Sequence, residues 1–186
     1  MDLNSVHRVD FVAGIKDKNF NWYLNKPYLE ILTSGNNLLQ SALVEKFTIW
    51  HWAIKLKLNS FLRKNENVKV IYSEINGFYI NPFIWNFSFD GYASDGGNND
   101  YEWLCYPCSW SDRYFLSGFP KLNTAYSKFI NDNMWKDGKL DAAKDLSDLI
   151  VATKFYELMF DVFKNKKSQI KIYIGVHDFD VVMKIE

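Results

Sequence analysis

The chain has 186 residues, of which 48% are hydrophobic and 24% charged, and its 22 basic side chains balance 22 acidic ones. These proportions exclude a wholly disordered chain, a collagen-like or coiled-coil rod and a disulfide scaffold. Zero formal charge argues against a nucleic-acid binder, which needs a positive excess or a clustered basic face. The chain has only two cysteines and no apolar stretch long enough to span a bilayer, so we expect a soluble cytoplasmic protein without membrane association.

The first third of the chain contains two apolar patterns. Residues 9–24 hold two short apolar runs around a charged turn, which fits a hairpin or a strand followed by a loop. The next segment has apolar side chains at spacings of three and four: Leu39, Leu43, Phe47, Trp50, Ile54, Leu58 and Phe61. This spacing predicts one continuous helix with Trp50 buried in its apolar stripe. Trp52 and Leu56 widen the stripe, so we expect this helix to be contacted on more than one side.

Alternating patterns follow and predict strands. Residues 68–73 alternate with period two, and Asn76-Gly77 after them is a strong signal for a hairpin turn. Residues 83–92 form a strand with one aromatic face. Residues 101–106 resume the alternation, which predicts a second hairpin whose long, mobile tip is the polar segment 93–100.

The last third predicts a short helix over 124–130, a long helix over 141–163, and strands over 170–176 and 181–185. Short connections favour antiparallel pairs. We therefore expect a single α+β domain over residues 1–186, with an antiparallel sheet of about five to six strands and two long helices packed on one face.

A Cys-x-x-Cys pair, Cys105 and Cys108, is the most specific short motif. It superficially resembles the thioredoxin and glutaredoxin class of motif, which implies a dithiol redox centre. That fold places the pair where a strand leads into a helix near the start of the domain. Here about a hundred residues precede the pair, and no convincing helix follows. A second pair of zinc ligands at usable spacing is also missing, so we interpret both thiols as structural.

A second candidate site is the segment containing His177, Asp178 and Asp180. One imidazole and two carboxylates are acceptable ligands for a divalent metal and also suit acid–base catalysis. A polar turn between two strands would use the same residue types for its backbone hydrogen bonds. We expect the turn, and keep a hydrolytic site around His177 as an alternative.

Loop acids and aromatic residues provide the remaining candidates. Asp95 and Asp100 lie in the polar loop, but the spacing of its acids does not match an EF-hand, so we expect neither a metal nor a cofactor. Aromatics make up 18% of the chain, and exposed Trp and Tyr favour protein contacts. We therefore predict that Trp103, Trp110 and Tyr114, together with the two loop acids, bind a partner.

These features favour a non-enzymatic protein-binding domain whose partner is another protein. Small bacterial proteins of this profile include toxin-neutralising immunity proteins, an analogy of class that no residue motif supports. The alternatives are a thiol-redox enzyme using Cys105 and Cys108, a hydrolase with its site around His177, and a carrier with an aromatic pocket for a small ligand. The sequence leaves the partner's identity and the oligomeric state open.

Overall fold

A computed structural model describes residues 3–27, 29, 37–76, 85–97, 101–105, 107–133, 136–165, 170–177 and 179–185. These residues form five helices and five strands, which makes the chain an α+β protein. In chain order the elements are α1 (Leu3–Lys16), α2 (Asn37–Val44), α3 (His51–Lys64), β1 (Val70–Ile75), β2 (Trp85–Tyr92), β3 (Trp110–Leu116), α4 (Pro120–Asn131), α5 (Gly138–Phe163), β4 (Lys171–Val176) and β5 (Phe179–Ile185).

The chain divides into two compact units that interleave in sequence. The first comprises Met1–Thr48, Phe78–Phe83 and Ser117–Phe155; the second comprises Ile49–Gly77, Ile84–Leu116 and Tyr156–Glu186. Helix α5 contributes its residues through Phe155 to the first unit and its last two turns to the second.

The described part of the first unit is helical. Residues 9–24, expected to form strands, instead hold most of α1 and the turns after it, so that prediction was wrong. Phe11 and Ile15 are four residues apart and buried on one side of α1, a spacing that also fits a helix. Trp22 packs edge-on against Phe11, and its indole nitrogen donates a hydrogen bond to Thr153 Oγ1 at 2.8 Å.

Helix α2 ends at Val44, and a lysine binds the carbonyl groups at this end. The Lys154 ammonium donates to the carbonyl oxygens of Ala42 (2.5 Å), Leu43 (2.9 Å) and Glu45 (2.5 Å). These carbonyls have no partner inside a helix that stops here, so a cation satisfies them well. The continuous helix predicted through residue 61 is therefore wrong: the chain leaves the helix at 45–50 and starts α3 at His51.

Glu45, next to this break, caps helix α4. Its carboxylate accepts hydrogen bonds from the backbone nitrogens of Lys121 (2.9 Å) and Leu122 (2.8 Å). Phe119, which precedes α4, provides no side-chain cap and sits in the left-handed region at φ 58°. A remote carboxylate thus replaces a local cap, and the negative charge suits the positive end of the helix dipole.

Gly118 allows the two segments to meet. It forms an isolated antiparallel bridge with Phe47, and the Phe47 ring lies edge-on to that of Phe119 with centroids 4.7 Å apart. Gly118 has φ 139°, and a Cβ placed on it would lie 2.5 Å from the Lys46 carbonyl oxygen. Only glycine combines this backbone angle with such close contact.

The second unit contains a five-stranded sheet in the order β3-β2-β1-β4-β5. Three of its pairs are antiparallel, but β1 and β4 run parallel, with Val70 opposite Lys171 and Ile75 opposite Val176. The sheet is therefore mixed but mostly antiparallel, so the expectation of an antiparallel sheet is confirmed only in part. Five strands lie within the described residues, and a sixth is not confirmed.

The partner of β2 differs from the prediction. Residues 102–105 form a short 3₁₀ helix instead of a strand, and β2 pairs with β3, with Gly91 opposite Trp110. Within the described part of the tip, Trp103 Nε1 donates to the Gly97 carbonyl at 3.2 Å, and the expected mobility of the tip stays a prediction. Residues 77–84 lie outside the described residues, so the turn expected at Asn76-Gly77 stays a prediction.

One face of the sheet is covered by helices. Phe87 and Phe89 are fully buried on this helix face, and Phe89 contacts Phe61 of α3 and Phe163 of α5 at centroid distances of 6.0 and 6.4 Å. The arrangement of two long helices on one face is not confirmed, because α3 has only 14 residues and α5 is divided between the units.

We expect Lys154→Met to lower the free energy of unfolding by about 1.5–3 kcal/mol, because it leaves partly buried carbonyls without their charged donor. Lys164→Met is the matched control: its exposed ion pair with Asp161 contributes about 1 kcal/mol or less. Urea denaturation followed by circular dichroism measures both. Equal effects of the two variants would contradict the role given to Lys154.

Candidate functional site

The sheet's second face, opposite the helix face, is covered in part by the loop between β2 and β3. Val70, Tyr92 and Tyr173 are buried there beneath loop residues that include Trp103. The Trp103 ring lies edge-on to Tyr92 and Tyr173, with centroids 5.2 and 5.5 Å away. Trp103, a predicted binding residue, is thus used to hold the loop on the sheet.

Asp95 anchors the same loop. Its carboxylate accepts hydrogen bonds from the Tyr173 hydroxyl and the Gly97 nitrogen, both at 3.1 Å, and pairs with Lys171. The hydrogen bond from Lys171 is the main cause that lowers the pKa of Asp95 below its usual range. This carboxylate is therefore occupied within its own chain. Asp100, its predicted companion, lies outside the described residues.

The structure describes the side chain of only one of the two cysteines. Cys105 ends the 3₁₀ helix, but the description does not extend to its side chain. The half-buried Cys108 thiol donates to Asp90 Oδ1 across 3.7 Å. Burial, followed by the charge of Asp90, raises the pKa of the Cys108 thiol. The thiolate, which is the reactive form, is therefore disfavoured at neutral pH.

His177 lies next to a carboxylate from a neighbouring strand. Its Nδ1 is 3.1 Å from Glu74 Oε1, and both side chains are partly exposed. Asp178 lies outside the described residues, and Asp180 is described only as backbone in β5. Within the part of the chain that is described, no three side chains gather in a manner that could hold a metal ion.

Trp110 and Tyr114 lie on the helix side of β3. Trp110 is half-buried at the start of the strand. Tyr114 packs against Phe87 at 5.5 Å, and the Lys57 ammonium lies 4.6 Å from its ring centroid. Burial and the nearby Asp112 carboxylate raise the pKa of Tyr114 to about 12. The structure therefore uses Tyr114 in packing between sheet and helix.

An exposed apolar surface lies elsewhere, on α3. Trp50 immediately before the helix is 71% exposed, and Trp52 and Leu56 within it are 60% and 58% exposed. We call these three residues the α3 surface. Such large side chains are usually covered in a folded chain, and clustered exposed ones mark contact sites. The expectation that Trp50 is buried was wrong.

The geometry of α3 explains the exposure. Ile54, Leu58 and Phe61 are buried and form the inward stripe of the helix. Trp52 and Leu56 lie two residues to either side of Ile54, which places them about 160° away from it around the helix axis. The inward stripe fixes the helix on its unit, so the opposite face, with its two large apolar side chains, points to solvent.

The charges on α3 are all of one sign. Its residues include Lys55, Lys57, Arg63 and Lys64 and no acid. Lys57 lies over the Tyr114 ring, and Lys64 is 3.8 Å from Asp112. Lys55 and Arg63 are exposed near the α3 surface.

A cleft of about 190 Å³ opens beside the α3 surface, between α3 and the last turn of α5. Its lining residues are Lys55, Leu58, Asn59, Val162, Phe163 and Asn165. The three apolar members are buried and form its floor, whereas the polar members are more exposed. The cleft thus has an apolar base and a polar rim with one cation.

Sequence reasoning missed this surface because it treated residues 39–61 as one helix. In one continuous helix, Trp50 would belong to the buried stripe. With a separate helix from His51, the buried spacing is Ile54, Leu58 and Phe61, and Trp52 and Leu56 form a second stripe on the opposite side. The sequence could have indicated this surface through the two apolar stripes on opposite sides of α3. Such a pattern fits either a central helix or an exposed contact surface.

We expect Trp50→Ala to change the free energy of unfolding by no more than about 0.5 kcal/mol, as for other surface substitutions. Trp85→Ala is the matched comparison: Trp85 is 1% exposed, and its removal should cost about 3–5 kcal/mol. Thermal and urea denaturation measure both changes. A large loss of stability in the Trp50 variant would place that side chain in the core after all.

The Cys108 thiol should react slowly. In a Cys105→Ser background, we expect alkylation by iodoacetamide at about pH 8.5, the usual thiol pKa, to be slower than that of free cysteine. Asp90→Asn removes a negative charge, so the rate profile should move to lower pH. If alkylation were faster than that of free cysteine, or insensitive to Asp90→Asn, the assigned environment would be incorrect.

Comparison of the chain with protein-family models, curated proteins and solved structures gave no match. No helix in the described ranges is both long and apolar enough to cross a membrane. The interpretation of the α3 surface therefore depends on its own geometry.

Proposed function

We propose that this chain is a non-enzymatic protein-binding domain and that the α3 surface is part of its contact site. The observation that carries the proposal is the exposure of two tryptophans and a leucine on a helix whose other side is buried. Tryptophan is enriched among the residues that dominate binding energy at interfaces. A rigid helix also presents these side chains at little entropic cost.

The energies involved are sufficient for a specific contact. Full burial of a large apolar side chain contributes about 1.5–3 kcal/mol, before the costs of association. Three such side chains, together with a polar rim, resemble the composition of ordinary interface centres, which combine aromatic anchors with surrounding polar groups. The basic side chains near the surface favour electrostatic steering of partners with the opposite charge.

The environments of the catalytic candidates support a binding role over the enzymatic alternatives. A thiol with a raised pKa, as at Cys108, is a poor redox nucleophile. His177 is paired with Glu74 on a partly exposed strand end. We include a cytoplasmic location in the proposal, because two cysteines in 186 residues suit a reducing compartment. A more specific form, neutralisation of a bacterial toxin, requires the partner to be a toxic protein that this chain inhibits.

Affinity capture tests the proposal. The immobilised chain, Trp52→Ser/Leu56→Ser and Phe115→Ser are exposed to an extract of the source organism, and retained proteins are identified by mass spectrometry. Phe115 is the matched control, because it is 70% exposed and lies on the sheet face opposite to the one that packs against α3.

We expect the wild type and Phe115→Ser to retain the same protein, and the α3 double variant to lose it. The purified protein should then bind the wild type in a stoichiometric complex. Retention that is equal for all three baits would remove the α3 surface from the site. Absence of any specifically retained protein would contradict the binding function.

A further inference from the structure

We propose that the α3 surface and the adjoining cleft recognise an acidic segment of a partner protein that carries a large apolar side chain next to a carboxylate. This inference rests on the proposed function and specifies the chemistry of the partner. In this arrangement the apolar side chain enters the cleft, its neighbouring carboxylate binds Lys55, and the rest of the segment covers Trp52 and Leu56.

The size and lining of the cleft fit one side chain. Its volume is about 190 Å³, and a cavity of about 150 Å³ lined by apolar side chains already accepts benzene. The floor is formed by Leu58, Val162 and Phe163, all of them buried. Contact with this floor removes apolar surface from water, which favours a phenylalanine, tyrosine or leucine side chain over a small or polar one.

The position of the cleft links it to the α3 surface. Asn59 on its rim is three residues beyond Leu56, about 60° around the helix and one turn along it. Lys55 immediately precedes Leu56 in the helix. A single extended or helical segment can therefore fill the cleft and continue across Leu56 and Trp52.

The charges around the cleft favour a partner that is negatively charged. The residues lining the cleft include a lysine and no carboxylate, within the described part of the chain, and α3 itself carries no acid. On α5, Asp161 is paired with Lys164 at 2.7 Å, which reduces its field near the cleft. Acidic partners are attracted to such a surface, whereas basic ones are repelled.

An anionic membrane is the main competing ligand for a basic surface with exposed tryptophans. Membrane-bound helices bury a continuous apolar face in the lipid. In α3 the continuous apolar stripe already faces the interior of the protein, and Lys57 and Lys64 are engaged with Tyr114 and Asp112. A concave cleft with an apolar floor accommodates a protruding side chain, which a lipid surface does not present. The observations therefore favour a protein segment.

Selection from a random peptide library displayed on phage tests the inference with the full chain as bait. We expect the retained peptides to be enriched in Asp and Glu adjacent to Phe, Tyr or Leu. The tightest peptides are then synthesised with a fluorescent label, and their affinities are measured by polarisation. Co-sedimentation with vesicles of phosphatidylcholine and phosphatidylserine provides the membrane arm.

Four variants locate the site. Trp52→Ser and Lys55→Glu should each weaken peptide binding by about tenfold or more, the loss expected for an interface anchor. Asn59→Phe should weaken binding similarly by filling the cleft without removing a basic group. Arg113→Glu is the matched charge control, since it lies on the opposite sheet face, and it should leave the affinity within about twofold. Circular dichroism and thermal denaturation confirm that each variant is folded.

The outcomes separate this inference from the proposed function. Peptides that depend on Trp52 but show no preference for acidic residues would overturn the acidic partner and leave the binding function intact. Binding unaffected by Asn59→Phe would remove the cleft from the site. Lipid binding that is lost in Trp52→Ser, with no peptide selected, would replace a protein partner by a membrane and overturn both proposals.

Discussion

The ammonium group of Lys154 stabilises the helix end that precedes the candidate surface. It binds three carbonyl oxygens at the end of α2, where a longer helix would have used those acceptors for its own next turn. The chain then leaves the helix, and the Glu45 carboxylate caps α4 while Phe47 pairs with Gly118. Because α3 begins afresh at His51, its buried stripe has its own register. A helix continued from α2 would have directed different side chains inward.

Much of the sheet could be predicted from the sequence, because side chains along a strand alternate with a period of two. The strands around Val70–Ile75, Trp85–Tyr92 and Lys171–Val176 were recognised because their sequences alternate, and in Trp85–Tyr92 the alternate side chains from Trp85 to Phe89 are the buried ones. The pairing of the strands was harder to predict. Residues 101–106 alternate as a strand would, but they fold over the second face through contacts such as that of Trp103 with Tyr173. The local periodicity of a sequence does not reveal such long-range contacts.

The candidate surface could be predicted only in part. The excess of aromatic residues suggested that some would be exposed for contact with a partner. Trp103 and Tyr114, two of the residues chosen for that role, are used in packing, whereas Trp50 and Trp52 are exposed. The difference accompanies a helix end that Lys154 stabilises from more than a hundred residues further along the chain. Trp50 has no glycine or proline beside it to mark the break. A distant cation that satisfies backbone carbonyls leaves no local trace in sequence.

The parallel pairing of β1 with β4 has a consequence for how the protein is made. Val70 lies opposite Lys171, about a hundred residues away in sequence, so the centre of the sheet closes only after β4 has been synthesised. Until then β1 can pair with β2 on one side while its other edge stays open. An open edge of apolar residues invites pairing with other chains. Pairing across so long a sequence separation slows folding, and the open edge of β1 has to avoid intermolecular pairing until β4 is in place.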